Sequence, residues 1–141
     1  MRTTVAPNAR AKFTAPPDSV MWAVAQLYTE MQVPVTLADK MARRIGNTDF
    51  WKTRRMWGSA ISKFLNCGDT FSGPAADNHR VYMSLVTTVR PDAATKGSEM
   101  EISFSAQSQN MEGTSSDRLT CGSTGLLEEQ MRQTVAKKLG R

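Results

Sequence analysis

The sequence predicts an α+β domain: an antiparallel sheet with one N-terminal and one C-terminal helix packed on the same face. Three observations predict it. Residues 81–89 and 100–106 alternate apolar and polar side chains with period two, the pattern of strands with one wet face. Apolar stripes of helical spacing lie near both ends of the chain. The element order, helix, two strands, short helix, two long strands, helix, lets both terminal helices lie on one face of that sheet and bury every stripe.

The first helix is expected from Asp18 or Ser19, either one an N-cap behind Pro16 and Pro17, to about Met31. Val20, Val24, Leu27 and Met31 form its buried stripe, widened by Met21 and Tyr28. Residues 33–38 are β-rich, and Pro34 places them at a sheet edge or a strand start. Asp39 and Lys40 turn the chain into a second short strand, Met41 to Asn47. Trp57, Ala60, Ile61 and Phe64 have helical spacing, so a short helix is expected near 57–65. Residues 67–78 and 113–116 read as loops. In the strand Val81 to Val89, the positions Val81, Met83, Leu85, Thr87 and Val89 share one face. In Met100 to Ala106, the positions Met100, Ile102, Phe104 and Ala106 do the same. The last helix starts near Thr124 or Gly125 and buries Leu127, Met131, Val135 and Leu139. Glu128 and Glu129 at its start and Lys137, Lys138 and Arg141 at its end suit the helix dipole. Met21, Met31, Met83, Met100 and Met131 all fall on buried faces, as core filler rather than metal ligands.

Residues 1–17 read as an extended N-terminal arm, and 18–141 as a single domain. The arm carries Arg2, Arg10 and Lys12 and little apolar surface beyond Phe13, too little to offset about 1–2 kcal/mol of ordering entropy per residue. Either it lies on a partner or it folds back on its own domain. No apolar central region of a signal peptide is seen between Met1 and Pro17. The chain has 141 residues, 40% of them hydrophobic and 22% charged, which fits one globular domain. Its net charge of +5 favours acidic partners, whether protein faces, anionic lipid headgroups or nucleic acid.

Two readings of the cysteines stay open. One is two unrelated thiols. The other is a Cys67–Cys121 bridge, favoured by the polar, glycine-rich settings Cys67-Gly68-Asp69-Thr70 and Cys121-Gly122-Ser123-Thr124. A bridge implies an oxidising compartment, the periplasm or another extracytoplasmic space; reduced thiols imply the cytoplasm. With His79 as the sole histidine, a structural zinc site is not expected. Neither is a cofactor or a catalytic centre. A Cys–His nucleophile would need a free thiol beside His79. There is no Gly-x-Ser-x-Gly elbow and no phosphate loop.

The basic, tryptophan-containing segment 43–57 is the main candidate site. Arg43, Arg44, Trp51, Arg54 and Arg55, with Lys52 and Trp57, admit three readings. They form a nucleic-acid grip, a solvated face over a core tryptophan, or anchors for a protein or lipid-headgroup contact. Together with Arg2, Arg10, Lys12 and Phe13 of the arm, these are the expected partner-binding residues.

The segments Cys67-Gly68-Asp69, Gly73, and Cys121-Gly122-Ser123-Thr124-Gly125-Leu126-Leu127-Glu128 resemble a group of small exported bacterial domains, often lipoprotein-like. Residues 18–47 also resemble the helix-grip domains of the outer-membrane assembly lipoprotein BamC. The resemblance implies a helix-grip fold, export, and service as a non-catalytic accessory or scaffold subunit of a membrane-associated complex, some of them photosynthetic. A soluble nucleic-acid-binding module using Arg43, Arg44, Arg54 and Arg55 is the alternative function. The sequence departs from the lipoprotein pattern in having no lipid-accepting cysteine near its start.

Overall fold

The structure, a computed structural model, describes residues 9–111 and 117–140. It is α+β, built on a large antiparallel sheet with a helix at each end of the chain and one disulfide. The main sheet has seven strands among the described residues. In chain order they are β1 (Ala9–Phe13), β2 (Leu37–Asp39), β3 (Arg44–Thr53), β4 (Leu65–Asn66), β5 (Arg80–Asp92), β6 (Gly97–Gln109) and β7 (Leu119–Ser123). The helices are α1 (Pro17–Met31), the single-turn α2 (Ala75–Asn78) and α3 (Leu126–Lys138).

β5 and β6 are the two strands legible as alternation, each extended beyond its expected bounds, and they pair along their whole length from Asp92↔Gly97 to Arg80↔Gln109. β3 lies on the far side of β5, and β2 closes that edge with three residues. The outer edge of β6 is divided. β1 takes its first half (Ala9↔Ile102 to Phe13↔Ser98), and β7 takes its second half (Ala106↔Cys121 to Ser108↔Leu119).

Period two assigns Val81, Met83, Leu85, Thr87 and Val89 of β5, and Met100, Ile102, Phe104 and Ala106 of β6, to the buried face. α1 covers that face with Val20, Ala23, Val24, Leu27, Tyr28 and Met31, all at most 1% exposed. α3 adds Leu127, Met131 and Val135, and the two helices are joined by an ion pair from Lys138 to Glu30. Tyr28 donates to the Leu85 carbonyl (3.3 Å) and shares a 3.0 Å hydrogen bond with Thr87 Oγ1, which settles the two hydroxyls this core buries at its centre. Burial pushes the Tyr28 phenol up, against the smaller lowering effect of Thr87.

α1 begins one residue before the expected caps. Pro17 takes the first helical position, where a missing N–H costs nothing, and the Pro16 carbonyl accepts from Ser19 and Val20 (3.0 and 3.2 Å). Gln32 ends it in a left-handed conformation (φ 59°). At α3 the left-handed residue stands at the start instead, Gly125 (φ 88°), just ahead of Leu126. Arg141, expected at the end of α3, and the 113–116 loop lie outside the described residues.

Four expectations need correction. First, residues 9–13 of the expected arm are not separate from the domain. They form β1, and Phe13 is a core residue with 7% exposure rather than a partner contact. Arg2 lies outside the described residues. Second, residues 33–36 are not strand, and the strand expected at Met41–Asn47 is β3, running to Thr53. Asp39 Oδ1 accepts from the backbone of Met41 and Ala42 (3.0 and 3.1 Å), so residues 40–43 are turn. Third, no helix spans 57–65. Trp57 (φ 53°) and Gly58 (φ 78°) are left-handed and reverse the chain between Arg55–Met56 and Ser59–Ala60; one 3-10 turn, Ile61–Lys63, follows. Ile61 and Phe64 are buried all the same, so their spacing reported burial and not helix. Fourth, the 67–78 loop contains a tight hairpin, Asp69–Thr70 against Gly73–Pro74, and then α2.

Cys67 and Cys121 are bonded, with an S–S distance of 2.05 Å and Cα atoms 4.3 Å apart. Beside the bond, β4 pairs with Gly122 and Ser123, and Thr124 reaches back through its backbone to the Phe64 carbonyl (3.0 Å) and through its hydroxyl to the Lys63 carbonyl (2.7 Å).

Candidate interaction face

The period that places half of each strand in the core places the other half on a face that no helix covers among the described residues. The register lines those residues up in rows across the sheet. At the end where β5 meets β6, Lys12, Glu99 and Arg90 form one row, and Arg10, Glu101, Thr88 and Arg44 the next. Gly46, Val86 and Ser103 follow, then Ser84 and Ser105. Last come Trp51, Tyr82, Gln107 and Thr120, and then Thr53, Arg80 and Gln109. Gly46 is required for its row: a Cβ there would lie 2.2 Å from the Leu85 carbonyl oxygen, so only glycine lets β3 approach β5 this closely.

Most charges of the first rows are paired within the protein. Arg90 bridges to Glu101 (2.7 Å) and Glu99 (3.9 Å), Arg10 to Glu101 (3.4 Å), and Lys12 to Asp92 (3.7 Å). Asp92 is held below the ordinary carboxylate range by the Thr95 hydroxyl first, then by the Ala94 amide and Lys12. The arm cations Arg10 and Lys12 therefore face this side of the sheet, paired within the chain.

The last rows are different. The Arg80 guanidinium lies 4.1 Å from the centre of the Trp51 ring, and Arg118 lies 3.7 Å from that of Tyr82. Arg80 also donates to the Tyr82 hydroxyl (3.4 Å). Trp51 keeps half its surface in solvent (50%). The result is a flat basic and aromatic band. Beside it, a shallow depression of about 250 Å³ opens between the band and the β3 bulge, lined by Thr48, Asp49, Ser84, Ser105, Gln107 and Thr120.

The segment expected to act as one basic cluster is divided. Arg43 and Arg44 sit at one end of β3, and Arg54 and Arg55 just past the other, about 30 Å away at 3.3 Å per strand residue. Arg43 pairs with Asp18 (3.6 Å). Arg54 and Arg55 are exposed on the turn, Arg55 donating to the Gly58 carbonyl (3.4 Å). Trp51 alone of the expected residues joins the band. Arg80, Tyr82 and Arg118 were missed. Tyr82 had a signal, being an aromatic at a wet position of an alternating strand.

A second cavity, about 270 Å³, lies in the divided edge of β6, lined by Ala9, Ala11, Ile102, Glu128 and Arg132 among others. Glu128 is buried (6% exposed), and both its oxygens accept from the Ser123 hydroxyl (3.0 and 2.8 Å). Its neighbour Glu129 is lowered by a hydrogen bond from Arg132 (Nε to Oε1, 2.9 Å). Both sulfurs are spent in the disulfide, so neither is a nucleophile for His79, whose Nδ1 is buried with no partner among the described residues. Among the described residues no three His, Cys, Asp or Glu side chains are grouped to hold a metal ion, and no helix is long and apolar enough to cross a membrane.

Comparison with known protein families, with curated proteins and with solved structures found no match.

Proposed function

We propose that this chain is a non-catalytic accessory domain that docks on protein subunits of a membrane-associated assembly through the helix-free face of its sheet. The observation that carries this is the Trp51–Arg80–Tyr82–Arg118 band. Tryptophan, tyrosine and arginine are the side chains that anchor protein interfaces, because they combine large apolar area with directional polar groups. Ring–guanidinium stacking fixes these four in place before any partner arrives, which lowers the ordering cost of binding. The excess of cation over carboxylate in the band fits an acidic partner surface.

The disulfide is compatible with an oxidising, extracytoplasmic location, and the motif likeness to exported bacterial domains supports the periplasm. The alternative, a nucleic-acid-binding module, is less well supported. Base stacking needs open ring faces, and a guanidinium already lies over Trp51 and over Tyr82. The four expected arginines do not form one patch either.

The test is co-fractionation in the native host. The wild-type chain should migrate with a high-mass assembly after mild solubilisation. Trp51→Ser combined with Arg118→Glu should move it to the free pool while the chain stays folded, its Tm lowered by only a few degrees through the lost ring contacts. A wild-type chain found only in the free pool would refute the proposal, as would a variant that stays in the assembly.

A further inference from the structure

At the end of the sheet where β5 begins and β6 ends, the hairpin Asp69–Thr70/Gly73–Pro74 carries Phe71 at its tip, with the whole side chain in solvent (111% of reference exposure). This tip is held in place. Thr70 Oγ1 donates to the Gly73 carbonyl (2.9 Å) and accepts from the Ser72 amide (3.1 Å). Asn78 Nδ2 donates to the Pro74 carbonyl (3.0 Å), the Ala75 amide donates to the Gly68 carbonyl (2.8 Å), and the stem starts at the Cys67 disulfide. Gly73 (φ 113°) adopts a backbone angle open to glycine alone. A phenyl group on a braced turn, packed against nothing among the described residues, is presented outward.

The surroundings are cationic and continuous. Asp77 of α2 accepts from the Ser62 amide (2.8 Å), and the Ile61 amide donates to the Arg54 carbonyl (3.0 Å). The hairpin, α2, the 3-10 turn with exposed Lys63, and the Arg54–Arg55 turn are therefore one contiguous end. Between residues 50 and 80 the chain has five Lys and Arg against two Asp and no Glu, which concentrates here much of its net charge of +5.

We propose that this end seats on an anionic lipid surface. Phe71 enters the boundary between headgroups and acyl chains, and Arg54, Arg55 and Lys63 meet the phosphates. An interface at once apolar and anionic matches an end that carries both a protruding phenyl and the exposed cations Arg54, Arg55 and Lys63; an acidic protein face matches only the cations. This goes beyond docking through the helix-free face, involves different residues, and fails or holds separately, because synthetic vesicles contain no protein.

The experiment is co-sedimentation of the full, disulfide-intact chain with vesicles of phosphatidylcholine alone or mixed with phosphatidylglycerol. Binding is expected to the anionic vesicles only and to be lost at high salt. Phe71→Ser should weaken it about tenfold, and Arg54→Ala with Arg55→Ala about thirtyfold. At matched ionic strength, free inorganic phosphate should not compete. Since the Phe71 side chain is fully exposed, the Phe71→Ser Tm should equal the wild type, which separates lost binding from lost folding. The proposal is overturned by no binding to anionic vesicles, by equal binding to neutral ones, by competition from free phosphate, or by a Phe71→Ser chain that binds as wild type.

Discussion

Replacing both cysteines (Cys67→Ala with Cys121→Ala) removes a cross-link that closes a loop of 54 residues. The chain-entropy relation gives about 14 cal/mol/K for a loop of that length, or about 4 kcal/mol at room temperature. Most of this acts on the unfolded chain, because the joined segments have other ties in the folded one. β4 still pairs with Gly122 and Ser123, and Thr124 still bonds the Phe64 and Lys63 carbonyls. The variant should therefore keep the fold and lose stability. A chain of 141 residues unfolds with an entropy of about 0.3 kcal/mol/K, so Tm should fall by about 13 °C. Thermal unfolding followed by circular dichroism reads this directly, with reduced wild type as a second sample. An unchanged Tm would refute the idea that the cystine limits the unfolded ensemble. A variant already unfolded at room temperature would refute the idea that β4 and Thr124 hold the junction without it.

Four further outcomes are expected. Phe13→Ala should cost about 3–5 kcal/mol in urea titration, because β1 places that ring in the core; a wild-type midpoint would mean β1 is not docked. Gly46→Ala should destabilise by about 3 kcal/mol or more, since its new methyl meets the β5 backbone; an unchanged midpoint would contradict the register of β3 on β5. Tyr28→Phe should cost about 1–3 kcal/mol by leaving buried Thr87 one partner short. Asp92 and Glu129 titrate below their ordinary range in the folded chain, Asp92 chiefly through Thr95 and Glu129 chiefly through Arg132. Their stabilisation is thus present above the unfolded carboxylate pKa, about 4, and is lost as pH falls through the lower folded values. Asp92→Asn should flatten part of that acid loss in a pH series of Tm, and an identical acid limb would contradict it.

How much of this was legible follows from the kind of contact involved. β5, β6, α1 and α3 were visible because each repeats its burial period over several turns or pairs. β3 was visible only to Asn47. Its bulge leaves Thr48 and Asp49 unpaired, so Asn47 and Phe50 both serve the core side three residues apart, and the alternation breaks at that point. β1 does alternate, as Ala9, Ala11 and Phe13 against Arg10 and Lys12, but two alanines bury little, and its partner Ile102 lies far along the chain. Trp57 and Gly58 hid a reversal inside a helical spacing. The disulfide was readable from the composition around each cysteine. The band on the helix-free face was not readable as a unit, because Trp51, Tyr82 and Arg118 meet only through the register of three strands and a connecting segment.

On the proposed function, the helix-free face is the one that touches partners. A photo-crosslinking amino acid placed at Trp51 in the native host, compared with one at exposed Gln133 on α3, tests it most directly. Protein adducts at position 51 and none at 133 are predicted; adducts at 133 alone, or none at 51, would contradict it.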